Sequence, residues 1–200
     1  MSGEPQSDVP ESDVSESEVP EADLPTPAFG WSDMWASPDE DPRTEGGPTD
    51  ERSLLRRYLA NYRLTLELKC SGLDAEQLAR RSVPPSNMSL LGLVRHLATV
   101  EQYWFRVALA GEDVVRLYRG AGNDEFEDAV GDPAGVAAAW THWRAEIANA
   151  DDYVESHDLD STGPEGDTLR EVLLHLIEEY ARHCGHADFL RERIDGRIGQ

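Results

Sequence analysis

From residue 49 onward, apolar side chains recur at spacings of three and four residues through four long segments. This periodicity places them on one face of an α-helix. No stretch shows a convincing strand pattern, and the connections between the segments are of modest length. The sequence therefore predicts an all-α fold, most simply an up-down-up-down four-helix bundle. In the first segment the recurring residues are Leu54, Leu55, Tyr58, Leu59, Tyr62 and Leu66.

Capping residues predict where the helices begin and end. Asp132 followed by Pro133 is typical of a helix start, and Gly196 is typical of a helix end. Residues 112–131 show no clear pattern and are interpreted as a loop. The long helices are predicted from Thr49 or Asp50 to Ser71, from Ser89 to Gly111, from Asp132 onward, and from Asp167 or Thr168 to Asp195, with a short helix over Asp74–Arg80.

The first 48 residues have the composition of a disordered acidic tail. They hold eight of the twelve prolines, and residues 1–50 carry a net charge of −13 out of −22. Such a segment buries too little apolar surface to offset the entropy of ordering it. The predicted organisation is a disordered tail over residues 1–48 and a bundle domain over residues 49–196. The cluster PAFGWSDMWAS in the tail is either a docking segment or a stretch without function.

The charge pattern excludes several function classes. The folded part is acidic and has no cluster of Lys and Arg, which argues against binding of nucleic acid or an anionic membrane. No stretch approaches the ~20 apolar residues of a membrane span, and the N-terminus is unlike a secretory signal. Two cysteines are too few for a disulfide framework, and we expect Cys184 to be a buried, inert thiol. The sequence predicts a cytoplasmic protein.

Polar side chains interrupt the apolar stripe of the last helix. Glu179 and His183 are four residues apart, so both can point at one atom between them. His96 occupies a similar position beside the apolar stripe of the second long helix. Together they would give a three-ligand site for a divalent metal with an open position, which is typical of catalytic metal sites. The alternative is that these side chains are hydrogen-bonded structural residues.

Three stretches of this sequence resemble the DinB-like/YfiT-like superfamily of metal-binding four-helix bundles, and specifically its actinobacterial branch DUF664. They are SLLGLVRHLATVEQYWF, KCSGLDAEQLARRSVPPS and LLHLIEEYARHCGHADFLRE, and the resemblance covers about Asp50 to Arg193. It implies that the metal ligands are His96, Glu179 and His183. This His/Glu/His set resembles that of mycothiol-dependent maleylpyruvate isomerase, a superfamily member. Mixed nitrogen and oxygen ligation suits zinc, nickel or iron almost equally.

Four polar residues flank the ligand positions. His175 is interpreted either as a hydrogen-bond partner of the site or as a surface residue. His186 is a fourth ligand, a general base or a packing residue, and we favour a polar role near the site. Arg182 and Arg95 either bind an anionic substrate group or face solvent, and we favour solvent for both. Whether Glu101 reaches the metal is open.

The resemblance implies a metal-dependent enzyme, either a transferase of a mycothiol-type thiol or a related hydrolase. Its substrates would be a small-molecule thiol and an electrophile, but neither substrate nor reaction carries over from the uncharacterised branch. The alternative is a non-enzymatic, metal-stabilised binding module whose tail, with Trp31 and Trp35, recruits a partner. Many superfamily members are dimers, which leaves a homodimer open.

Overall fold

The computed structural model describes residues 41–43, 46–119 and 124–198. Within these ranges the only extended pairing is an isolated bridge between Thr162 and Thr168, which confirms the all-α prediction. Most of the predicted tail, including Trp31 and Trp35, lies outside the described residues. The elements are α1 (Glu51–Cys70), α2 (Ala75–Ala79), α3 (Leu90–Glu101), which continues as a π-helix (Gln102–Leu109), α4 (Pro133–Ser156) and α5 (Leu169–Asp195).

The predicted N-caps are present at all four long helices. The side chains of Asp50, Ser89, Asp132 and Thr168 each accept a hydrogen bond from the backbone N–H three residues later. Each bond satisfies a donor that the first helical turn leaves without a partner. At the other end of α5, Gly196 adopts a φ of 80°, the left-handed conformation in which glycine is favoured.

Contacts at both ends of α1 and α5 show that these two helices run parallel. At their N-terminal ends, Arg170 Nε lies 2.7 Å from Glu51 Oε1. At their C-terminal ends, the ammonium of Lys69 pairs with the carboxylate of Asp188.

The other two long helices run in the opposite direction. Along α3 and α5, His96 lies beside His183 while Glu101, further along α3, bonds to the earlier Tyr180. Along α1 and α4, Arg56 pairs with Glu155 and the later residue Glu67 pairs with the earlier Arg144. Both α3 and α4 are therefore antiparallel to α1 and α5.

The order of directions is up, down, down, up, so the predicted up-down-up-down order is wrong. The cause is the long connection between the π-helix and α4, which the structure describes over residues 110–119 and 124–132. A connection of this length is long enough for the chain to run back along the whole ~30 Å of a twenty-residue helix before the next helix begins. The sequence pattern predicts a loop over residues 112–131 but gives no sign that the helices on its two sides run in the same direction.

None of the described helices is long and apolar enough to cross a membrane.

The core lies where the apolar stripes of the helices meet. On α4 the buried face centres on Trp143, whereas Val136, Trp140 and Ile147 are only partly buried against the core. On α5 the predicted stripe is fully buried and consists of Leu169, Val172, Leu173, Leu176, Tyr180, Ala187 and Leu190.

A buried ionic network crosses this core. The guanidinium of Arg63 donates two hydrogen bonds of 2.8 Å to the Glu101 carboxylate and a third to Asp151. Tyr180 donates to Glu101 at 2.8 Å and accepts from the indole N–H of Trp143. Because Glu101 is fully buried and paired here, it is not part of the candidate metal site.

We expect Gly163→Ala to destabilise the fold. A Cβ at this position would lie 2.0 Å from the backbone oxygen of Ala108, so the backbone would have to shift. Overpacking of this kind costs about 1–3 kcal/mol in the free energy of unfolding. The control is Gly185→Ala within α5, where the added Cβ meets nothing within 4 Å among the described residues apart from its chain neighbours and the adjacent backbone of its own helix. Denaturant unfolding of Gly185→Ala should show a gain of about 0.5–1 kcal/mol, and equal stabilities for the two variants would contradict this account.

Candidate metal centre

Helices α3 and α5 bring the three predicted ligands together. One donor atom from each of His96, Glu179 and His183 lies within 4.8 Å of the other two. Glu179 Oε2 is 3.3 Å from His183 Nε2, as the spacing of four residues on one helix allows, and 4.0 Å from His96 Nε2. The antiparallel crossing of α3 and α5 therefore supplies the third donor that one helix alone lacks.

Both histidines present Nε2 to the centre while their Nδ1 atoms contact other groups. His96 Nδ1 lies 2.8 Å from Glu125 Oε2, and His183 Nδ1 lies 3.3 Å from His186 Nδ1. When Nδ1 carries the proton, the lone pair of Nε2 is free to bind a metal. Two imidazole nitrogens and one carboxylate oxygen fit zinc, nickel or iron.

The environment of His183 keeps its imidazole neutral at pH 7. The residue is only 9% exposed. Burial, followed by the neighbouring His96 and His186, lowers the pKa of His183 to about 4. A histidine must be unprotonated to bind a metal, so this donor needs to release no proton at neutral pH.

The second carboxylate oxygen of Glu179, Oε1, lies near side chains of its own helix. Arg182 donates to Glu179 Oε1 at 3.1 Å and also pairs with Glu178, so Arg182 does more than face solvent. His175 Nε2 lies 3.8 Å from the same oxygen, beyond hydrogen-bond distance, and its ring centroid is 4.8 Å from that of Trp104. Glu179 thus directs Oε2 at the imidazoles while Arg182 holds Oε1.

The prediction that Arg95 faces solvent is wrong. Its side chain is buried, one nitrogen donates to the backbone oxygen of Asp124 at 2.9 Å, and the guanidinium lies 4.3 Å from the centre of the Tyr118 ring. The loop after the π-helix folds back over this face of α3. Helical periodicity describes only the helix itself and therefore could not indicate that a loop covers Arg95.

Sequence reasoning missed Glu125, which contacts His96 directly. It belongs to the segment that shows no helical period, so no face could be assigned to it. The only signal is the acidic and aromatic string DEFED over residues 124–128.

Neither protein thiol is suited to act as a nucleophile. Cys70 and Cys184 are both buried, and burial raises the pKa of each thiol to about 12. Thiolate is the reactive form, so both side chains stay inert at neutral pH. The expectation that Cys184 is buried is confirmed.

A separate cleft of about 550 Å³ opens beside the first half of α1, and none of the three metal-donor residues lines it. Its arginines, Arg56, Arg57 and Arg63, already bond to protein groups. The cleft therefore does not compete with the donor cluster as the candidate site.

Comparison with known proteins assigns the family. The family model described as Mycothiol-S-transferase matches residues 54–196, well over half of the chain, and this range contains all three donors and Glu125. No curated protein and no solved structure matches the chain. The suspected membership of the DinB-like superfamily is confirmed. The chain belongs to the mycothiol S-transferase family of DinB-like proteins.

Proposed function

We propose that this chain is a metal-dependent S-transferase that joins a mycothiol-type thiol to an electrophile at the cluster of His96, Glu179 and His183. The observation that carries the proposal is the convergence of three donor atoms within 4.8 Å, inside the region that the family model matches. The cluster is the only such group of potential ligands among the described residues.

The three side chains would hold one divalent ion, zinc, nickel or iron, through His96 Nε2, His183 Nε2 and a Glu179 oxygen. Three protein ligands leave a position open for a substrate. A bound ion would lower the pKa of a thiol and supply a thiolate at neutral pH. His183 contributes a neutral imidazole because its pKa is about 4. His186, the predicted polar neighbour, has its Nδ1 3.3 Å from His183 Nδ1, so an unprotonated His186 Nδ1 would accept the Nδ1 proton of His183 and leave His183 Nε2 for the metal.

The state of the protein's own thiols supports a small-molecule thiol as the nucleophile. The chain has two cysteines, both buried and both with a pKa near 12. A covalent intermediate on a protein sulfur would need a thiolate that neither residue provides. In an S-transferase of this kind, the reacting sulfur would therefore come from a bound cosubstrate.

Family membership favours the transferase over the hydrolase. The alternative of a non-enzymatic binding module depends on Trp31 and Trp35, which lie outside the described residues, and it stays a prediction. The homodimer and the boundary between tail and domain also stay predictions.

The test is a conjugation assay with the full-length chain. Zinc-loaded protein is mixed with mycothiol and a panel of haloaromatic and epoxide electrophiles, and products are identified by mass spectrometry. We expect thioether conjugates that form faster than without protein and that disappear when a chelator has removed the metal. Hydrolysis of the electrophiles without consumption of the thiol would contradict the transferase and favour the hydrolase.

A further inference from the structure

We propose that Glu125 is a positioning residue that holds His96 in the tautomer and orientation needed to bind the metal. The inference rests on the proposed metal centre. It assigns a role to a side chain that lies on neither α3 nor α5 and that is not a ligand itself.

The geometry around His96 carries the inference. Glu125 Oε2 lies 2.8 Å from His96 Nδ1, on the edge of the ring away from the metal donors. A carboxylate at this distance accepts a hydrogen bond, so the ring proton stays on Nδ1 and the lone pair of Nε2 remains available to bind a metal. The side chains of His96 and Glu125 are only 23% and 19% exposed, so water competes weakly for this bond.

The ring of His96 is also confined by its two aromatic neighbours. The centroid of the Phe126 ring is 5.6 Å from that of His96, and the centroid of His183 is 4.7 Å away. Phe126 approaches so closely because Gly92 has no side chain, since a Cβ on Gly92 would lie 2.6 Å from Phe126 Cδ1. The turn that carries Glu125 therefore packs, through Phe126, against the backbone of α3 at Gly92.

Hydrogen bonds hold this turn in place before any metal binds. Asp124 Oδ1 accepts from the backbone N–H groups of Phe126 and Glu127, and Arg95 donates to the Asp124 backbone oxygen. The carboxylate of Glu127 accepts from Arg81 and from an amide nitrogen on the loop before α3. Glu125 is thus presented by a fixed turn and needs no ordering when the centre forms.

The two histidine ligands differ in their outer partners. His96 has a carboxylate on Nδ1, whereas His183 has the imidazole of His186. An anionic acceptor raises the basicity of the metal-binding nitrogen more than a neutral one, and losing such a partner typically weakens metal binding by about 10–100-fold. Removing Glu125 should therefore weaken the metal site without touching any ligand.

The test measures zinc affinity of the full-length chain by competition with a chromophoric chelator. We expect Glu125→Ala to bind zinc about 10–100-fold more weakly than wild type. Glu125→Gln should recover part of that loss, because its amide oxygen still accepts the Nδ1 proton without supplying the charge. The control is Glu155→Gln, which changes a mostly exposed carboxylate that pairs with Arg56 and does not contact the turn or the donor cluster, and it should change the affinity by less than about twofold.

A second readout separates positioning from general stability. NMR of the imidazole nitrogens in the metal-free protein should show His96 protonated at Nδ1 in wild type and in Glu125→Gln, and a mixture of tautomers in Glu125→Ala. Wild-type zinc affinity in a folded Glu125→Ala variant would overturn the inference. If that variant does not fold, a zinc affinity of Glu125→Gln equal to that of the wild type would overturn it. No zinc binding by the wild-type chain would overturn the metal centre, and the inference with it.

Discussion

Replacing His183 with alanine is expected to reduce the rate of thiol conjugation by at least about a thousandfold. Metal ions contribute several kcal/mol of charge stabilisation, and about 4 kcal/mol corresponds to this factor. His183 Nε2 is the ligand atom nearest to Glu179 Oε2, at 3.3 Å. Without His183 the metal would keep His96 and Glu179, which lie on two different helices. Steady-state kinetics with mycothiol and the best electrophile of the panel measure the effect.

His157→Ala is the matched control for this variant. His157 is exposed just beyond the C-terminal end of α4 and does not belong to the donor cluster. Its activity should stay within about twofold of wild type, in line with surface substitutions away from a site. If His183→Ala kept more than about a tenth of the wild-type rate, metal-assisted transfer at this cluster would be wrong.

Replacing Glu101 with alanine is expected to lower the free energy of unfolding by about 3–5 kcal/mol. The variant leaves the Arg63 guanidinium in the core with only Asp151, and it removes the acceptor of the Tyr180 hydroxyl. Urea unfolding of the metal-free protein at pH 7 measures the loss without a contribution from metal binding.

Two further variants make this prediction specific. Glu155→Ala removes the mostly exposed partner of Arg56 and should cost less than about 1 kcal/mol. The double variant Arg63→Met/Glu101→Leu removes both buried charges and should lose less stability than Glu101→Ala alone, because the charge left unpaired, on Asp151, is more than half exposed to water. A loss in Glu101→Ala no larger than that in Glu155→Ala would contradict a stabilising buried pair.

The sequence could predict the features that repeat with the helical period. The apolar stripe of α5 is buried as expected, and the cap residues begin and end the helices where the chemistry of capping requires. The meeting of His96 with Glu179 and His183 is also predictable, because His96 and Glu179 flank the apolar stripes of their helices and His183 lies within one. Helical periodicity is a property of each segment by itself, so it predicts which face of a helix is buried and which side chains lie beside that face.

What the sequence could not predict depends on segments without a period. The length of the connection between the π-helix and α4 allows α4 to run parallel to α3, and the described part of that connection covers Arg95 and brings Glu125 to His96. The π-helix after Glu101 also went unforeseen. There the Gln102 side chain bonds to the backbone of Val115 and Leu117, a contact between helix and loop that no helical spacing indicates.

The most direct test of the account is the metal content of the purified full-length chain. The protein is loaded with zinc, desalted and examined by native mass spectrometry beside the variant His96→Ala/His183→Ala. The account predicts about one ion per wild-type chain and less than about a tenth of an ion per chain in the double variant. Less than about a tenth of an ion per wild-type chain, with nickel and iron giving the same result, would contradict the metal centre.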